Sequence, residues 1–431
     1  MRSSFSAIAL GFSLTCASLP LCAQSASIIA NGVGNEGFIE QVNSSGANAN
    51  IMQTGDNNKA GSAGMPAIPG ILQSDSVNVS ATIQQNGDKN AATVTQTNTT
   101  GSTAAVTQTS AAGVAEGNTA NIAQTGNSDG PVQAATVEQK GSNTADVKQS
   151  TWGESAAVHQ EGGLAGKNIA TITQTSFGQQ AMVDQAGDNL QASILQTNTD
   201  GVISQITQTG ANHTANVKHG GFVGNVSVKQ SGGLMIGNTA AIEVDGFYGL
   251  RTTVNQAGDF LRTEVRQIDG HDKRTTVNQT GYDQYARVQQ LGYMILGVGE
   301  VLVNQTGQAN DAFVTQNSAT DSRVDATQFG TGPERNALTI SQTGDALSHT
   351  YDIAIAKQNG AGNVGTIMQT GNWNLAELEQ TGNGNKATIT QAGTGSSLAT
   401  QNHAWITQNG NLHTALITQN GMGNWSGILQ H

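Results

Sequence analysis

Glutamine recurs along this chain at steps of 11 or 12 residues, a spacing that suits a stack of short strands far better than a wide globular core. Gln358, Gln369, Gln380 and Gln391 are evenly spaced at 11, and so are Gln408, Gln419 and Gln430. Gln174, Gln185 and Gln196 keep the same step, as do Gln256 and Gln267, whereas Gln96 to Gln108, Gln196 to Gln208 and Gln316 to Gln328 are steps of 12. Followed from Gln41 to Gln430, the ladder has about thirty-two positions, with roughly two-thirds of its steps at 11 or 12.

The same order of residues fills each step. From Gln369 the chain passes Gly371, Asn374, Ala376 and Leu378 before Gln380, and from there Gly382, Asn385, Ala387 and Ile389 before Gln391. Gln305 leads through Gly307, Asn310, Ala312 and Val314 to Gln316. Gln85 leads through Gly87, Asn90, Ala92 and Val94 to Gln96, and Asn363 stands between Gln358 and Gln369. Asn, Ala, aliphatic and Gln occupy every second residue, so all four face one side of a strand. The other parity carries Thr, Ser, Lys, Glu and Asp, which suit water. The Gly two residues after Gln stands where a tight turn needs a positive φ or close backbone approach.

One such strand buries too little to stand alone. Two strands and an arc make a rung of about 22 to 23 residues, and stacked rungs repeat at about 4.8 Å. The fold expected is all-β: a β-solenoid of about sixteen strand–turn–strand rungs with two facing parallel sheets, a rod of about 70–80 Å. Inward Gln and Asn would form columns in which each amide donates to and accepts from its copy, avoiding the cost of about 1–3 kcal/mol for an unpaired buried amide. Longer steps are expected to bulge from the arcs, at Gly61 to Gly70 (with Pro66 and Pro69), Asn127 to Pro131, Gly232 to Gly237, Gly292 to Gly299 and Thr331 to Pro333. Composition agrees with thin layers: aromatic residues are only 4% and charged residues 11%, while Gly numbers 54. Gln/Asn-rich chains of this kind are often disordered, but the sustained register argues for order.

Residues 1–23 have the form of an export signal, with Arg2, the apolar run Ala7 to Leu14 and small residues around Ala23. Cleavage is expected after Ala23, or alternatively after Ser25. The run is too short to span a bilayer, and no transmembrane segment is expected after cleavage. Both cysteines, Cys16 and Cys22, fall in this signal, so the mature chain is expected to be cysteine-free. The organisation read from sequence is thus a signal at 1–23, an N-terminal segment at 24–40 and the repeat solenoid at 41–431. A formal charge of −12 disfavours nucleic acid and anionic membranes as partners.

The pattern Gln–x–Gly–x–x–Asn–x–Ala–x–(Val/Ile/Leu)–x–Gln resembles the curlin repeat of bacterial curli fibre subunits. The resemblance runs from about Gln41 to Gln430 and implies a major or minor subunit of an amyloid fimbrium. It further implies self-assembly with other curlin-type subunits, a surface nucleator, an outer-membrane curli secretion channel, and roles in adhesion and biofilm matrix. This chain departs from the family in length, with about three times the usual five rungs. It also has no obvious long Gly-rich leader, although Ser25 to Glu36 stands in that place. Its middle repeats are degraded, with His219 and Val244 at Gln positions and Leu261 and Gln284 at Asn positions.

The ladder residues quoted above are those expected to carry self-assembly, edge to edge. The final strand, with Asn424, Ser426, Ile428 and Gln430, is expected to be an uncapped edge that recruits the next molecule. The charged stretch Arg251 to Arg287, with Arg262, Glu264, Arg266, Asp269, Asp272, Lys273 and Arg274, is expected to oppose stacking and delay assembly. The cleaner repeats Lys357 to Gln391 and Trp405 to Gln430 are expected to nucleate it. The alternative function is a monomeric or nucleating surface adhesin. An ice-binding solenoid is a lesser variant, because the outward threonines at 93 and 95, 171 and 173, and 388 and 390 are interrupted by charges in other rungs.

No enzyme, cofactor or metal is expected. The histidines (His159, His213, His219, His271, His349, His403, His413 and His431) lack ligand spacing; His213 and His413 stand at Asn positions and read as polar substitutes. Neither a Gly-x-Ser-x-Gly elbow, an HExxH motif nor a calcium-binding nonapeptide is present. Of the four tryptophans, Trp152 and Trp373 fall in arcs, and with Trp405 and Trp425 they do not form a carbohydrate platform.

Overall fold

The computed structural model describes residues 14–15, 23–62, 68–111, 116–126, 132–162, 166–233, 236–292, 298–344 and 350–431. Nearly all of the expected signal, both cysteines, His349 and the loop from Asn127 to Pro131 lie outside these residues. The chain is all-β, a parallel β-solenoid with about fifteen turns in all. Among the described residues the helical structure is a single 3-10 turn, Leu398–Thr400. Two compact units divide the chain, Met1–Asn212 and His213–His431.

In the first unit each strand pairs in parallel with the strand two further along the chain. Ser80–Asn86, Thr103–Thr109, Ala134–Gly141, Ser155–Gly162 and Gln180–Asp188 form one ladder. Ala91–Thr97, Thr119–Thr125, Thr144–Gln149, Ile169–Gln174 and Gln191–Asp200 form the facing one. Register keeps like over like, so Ala92, Ala120, Ala145 and Ala170 stack with at most 2% exposure. Val94, Ile122, Val147 and Ile172 make the aliphatic column beside them. Each buried aliphatic side chain contributes about 1.5–3 kcal/mol, and the two facing strands of a rung supply two.

The second unit repeats this scheme. Its strands Leu250–Ile268, Lys273–Leu291 and Gly299–Asn317 each run 19 residues, two repeat strands and their arc in one hydrogen-bonded element. They pair side by side along their whole length. Toward the end of the chain the ladders continue as Ile353–Gly360, Asn374–Thr381, Asn402–Asn409 and Trp425–Gln430, facing Val364–Asn372, Lys386–Thr394 and Thr414–Gly421.

Two backbone positions shape each arc. The Gly two residues after Gln is left-handed and tightly stacked: a Cβ on Gly371 (φ 90°) would lie 2.0 Å from the carbonyl oxygen of Gly393. On Gly382 (φ 108°) it would lie 1.8 Å from that of Gly410. Only glycine fits both requirements. Two residues further on, a second left-handed residue turns the chain back into the strand, and it is often not glycine: Lys89, Asp283, Ala309, Trp373 and Leu412 all have φ between 51° and 59°.

Three sequence expectations change. The insertion at Gly61 to Gly70 does not bulge from an arc. It leaves the middle of a strand, between inward Ala60 and inward Ile71, as a small antiparallel pairing of Lys59–Ser62 with Ile68–Pro69. The halves either side keep parallel register with Ala91 and Val94, so the stack closes beneath the insertion. Next, residues of the 24–40 segment already join the stack: Ser25–Asn31 pairs with Asn48–Thr54, and Ile39–Val42 pairs with Ile71–Ser74. The third change concerns the charged stretch. Several neighbouring turns there carry opposite charges, Lys218 and Arg266 against Glu243 and Arg287 against Glu264, and the Arg262 guanidinium lies over the Tyr285 ring, whereas Arg251 stacks on Arg274. Lys273, counted among those charges, is fully buried.

Candidate functional site: the amide columns

The inward glutamines form four runs of hydrogen-bonded amides, two in each unit. In the first unit one run passes from Gln41 through Gln73, Gln96, Gln124, Gln149 and Gln174 to Gln196. Its facing run passes from Gln53 through Gln85, Gln108, Gln139, Gln160 and Gln185 to Gln208. In the second unit one run joins Gln230 to Gln430 by way of Gln305, Gln358, Gln380 and Gln408. The other joins Gln267 to Gln419 by way of Gln316, Gln369 and Gln391. Links in the latter pair of runs are 2.7–3.0 Å long.

Every link has the same sense: Nε2 donates to Oε1 of the following turn. The second amide hydrogen explains why. It reaches across the sandwich to a backbone carbonyl at the start of the facing strand, as Gln108 does to Ala91 (2.9 Å), Gln369 to Ile353 (2.8 Å) and Gln391 to Leu375 (3.0 Å). A carbonyl accepts only from the nitrogen side, so each amide has one orientation and each column is polar. The glutamines therefore tie turn to turn and sheet to sheet at once.

Asparagine works differently from its neighbour. Its Oδ1 accepts the backbone N–H of the next Asn position, as Asn58 does from Asn90 and Asn363 does from Asn385. Its Nδ2 holds the arc, bonding a carbonyl four residues back and the Gly carbonyl of the adjacent turn. Asn385 donates in this way to Thr381 and Gly410, and Asn363 to Gly382. Asn310 and Asn374 make the same bond four residues back, and Asn424 does so at Asn420. Direct Asn-to-Asn amide bonds occur only in places, such as Asn90 to Asn58 and Asn402 to Asn374.

Degraded positions are accommodated in register. His213 Nδ1 accepts the backbone N–H of Asn238 at 3.0 Å, as an Asn oxygen would. Where Val244 removes the Gln before Gln267, the Thr252 hydroxyl donates to Gln267 Oε1 at 2.8 Å instead. Thr263 and Thr275, which also stand at Ala positions, bond Gln279 and Gln290 likewise. Outside, Thr93 donates to Asn121, which donates to Asp146, so the outward threonine file is broken. The arc tryptophans pack on neighbouring arcs, Trp152 edge-on to Phe177 and Trp373 against Tyr351 at 4.5 Å.

Besides His213, three ionisable groups occupy buried Asn positions, and counting back six residues from the following Gln finds them. Lys273 directs its ammonium at four carbonyls, those of Ile268, Asp269, Gln290 and Gly292, and burial pushes its pKa down to about 8. Burial pushes the carboxyls of Glu154 and Asp352 up to about 7. Glu154 accepts from Thr151 and Gln133, whereas Asp352 uses one oxygen for the N–H and side-chain amide of Asn374 and leaves the other unpartnered.

The two raised carboxyls set a sign for pH. Their folded pKa values exceed the ordinary ones, so the stability they contribute is complete below about pH 4 and is lost as pH rises through about 7. These two carboxyls are expected to lower thermal midpoints from pH 5 to pH 8. In the second unit His219 opposes them: burial pushes its pKa down to about 4, so its contribution grows with pH up to 6.5. Asp352→Asn should flatten the part of that slope belonging to the second unit and raise the midpoint at pH 8. An unchanged slope in this variant would contradict the assignment.

Among the described residues no group of three His, Cys, Asp or Glu side chains is placed to hold a metal ion, and no helix is long and apolar enough to cross a membrane. The family described as the curlin associated repeat matches residues 360–393. No curated protein matches the chain. The matched stretch holds the strands Val364–Asn372 and Asn374–Thr381 and most of Lys386–Thr394, whose Gly, Asn and Gln positions form the arcs and columns described above. The chain thus carries the curlin associated repeat at residues 360–393.

Proposed function

We propose that the protein is a structural subunit of an extracellular curli-like amyloid fibre that assembles edge to edge and supports cell adhesion and biofilm matrix. The observation that carries this reading is the polarity of the glutamine columns. A column whose links all point one way presents donors at one end and acceptors at the other, so copies can join head to tail with the same bonds that hold each unit. The ladder residues from Gln85 to Gln430 are the proposed assembly contacts. The curlin associated repeat supports a structural role and the signal expected at the N-terminus supports export, with curli secretion machinery and a nucleator as the proposed partners.

Seeded growth tests the reading. Sheared fibres added to fresh chain should abolish the lag and extend from their ends, followed by dye binding and electron microscopy. A chain that remains monomeric for days with or without seeds would instead favour the adhesin.

A further inference from the structure

The start of one glutamine column contains a defect. Gln53 is 0% exposed and its Nε2 is fully used, donating to Glu36 and to Gln85, yet its Oε1 has no hydrogen-bond partner. Elsewhere this oxygen accepts from the preceding turn. Here the preceding turn is Ser25–Asn31, and the residue in register with Gln53 is Ala30. Ala26 and Ile28 fit over Ala49 and Ile51, so the strand matches the column in shape but offers no donor. It is also weakly held, for none of its residues is buried, whereas Asn48–Thr54 buries alternate residues.

At the other end of the sequence Trp425–Gln430 has the complementary character. Ser426, Ile428 and Gln430 occupy the Ala, aliphatic and Gln places, and Gln430 Oε1 already accepts from Gln408. Its Nε2 donates to Thr414, which leaves one amide hydrogen directed along the column. Among the described residues no strand pairs with its outer edge. Laid on Asn48–Thr54 in the register of Ser25–Asn31, it would set Ile428 over Ile51 and the Gln430 amide over the orphaned oxygen.

We infer that Ser25–Asn31 is an exchangeable cap, and that Trp425–Gln430 of a second copy displaces it from Asn48–Thr54 when copies join. This deepens the fibre reading and rests on it. The cap covers apolar Ile51 in the free chain, which guards against indiscriminate pairing, while the missing hydrogen bond keeps the cap replaceable. A strand that supplies Gln gains a bond that Ala30 cannot make, and removing an orphan of this kind shifts an equilibrium on the order of tenfold or more.

The test uses the full-length chain and a fluorescent peptide of residues 421–431, with binding followed by anisotropy. Ala30→Gln completes the column within the cap and should weaken peptide binding about tenfold. Ile28→Asp loosens the cap and should strengthen binding. A peptide carrying Gln430→Ala should bind about tenfold more weakly than its parent. Equal affinity for the three chains, no binding, or indifference to Gln430→Ala would overturn the inference. If the peptide discriminates as expected while seeded growth fails, the cap stands and the fibre reading falls. Fibres that grow alike from all three chains, with no discrimination by the peptide, would leave the fibre reading standing without the cap.

Discussion

Replacing Gln369 with leucine is expected to lower the unfolding free energy of the second unit by about 3–5 kcal/mol. Met368→Thr, one residue away on the outer face, should change it by less than about 0.5 kcal/mol. Gln369 makes three bonds, to Ile353 O, to Gln391 Oε1 and from Gln342 Nε2. Leucine matches the apolar part of its volume but removes all three. Gln391 Oε1 and the Ile353 carbonyl are then buried without that partner, and the Gln342 amide loses its acceptor along the column. Each orphan costs about 1–3 kcal/mol, partly offset by added apolar burial. Met368 is 42% exposed and stacks on Ser341 and Thr390, so threonine fits the file it joins. Denaturant midpoints of the two variants give the comparison directly, and equal effects would contradict the column as a source of stability.

The second large effect belongs to Lys273. Lys273→Met should destabilise by about 2–4 kcal/mol, because four backbone carbonyls lose their donor while the hydrophobic volume is retained. Lys273→Asn should be far milder, since asparagine at this position elsewhere reaches the carbonyl four residues back, here that of Asp269. The lysine also contributes a pH signature. Its folded pKa lies near 8, below the ordinary value of 10.5, so the unfolded chain binds the extra proton between them. Stability should climb with pH across that window in the wild type and stay level in Lys273→Asn, as thermal midpoints at pH 8 and pH 10.5 would show.

Much of the fold was legible because the repeat states its own geometry. Alternation placed Ala, aliphatic and Gln on one face, and the Gly after each Gln marked an arc that no side chain can enter. Other features had no letter to read. The cross-sheet ties end on carbonyls, which every residue possesses, so nothing in the sequence announces that Gln108 reaches Ala91. The strand Ser25–Asn31 falls outside a ladder that begins at Gln41, because Ala30 stands where the ladder shows Gln. The long step at Gly61 to Gly70 reads as an arc because only the length of the step is visible, not that Ala60 and Ile71 belong to one interrupted strand. Lys273 counts by composition among the charges that oppose stacking, although its place two residues before Thr275 is the Asn position and points inward.

The charged middle of the chain carries a similar lesson. The stretch Arg251 to Arg287 is expected to oppose stacking, yet register sets Glu243 against Arg266 and Glu264 against Arg287 while it stacks Arg251 on Arg274. Exposed pairs of this kind contribute only about 0–1 kcal/mol each, so their role is to remove a penalty and keep the register, not to drive stacking.

Fibre diffraction from aligned assemblies of the purified chain tests the central claim most directly. Continuation of the columns from copy to copy predicts a sharp meridional reflection near about 4.8 Å and an equatorial one near about 10 Å, the spacings of stacked strands and facing sheets. Aggregates that give only diffuse rings, or no oriented 4.8 Å reflection, would contradict it.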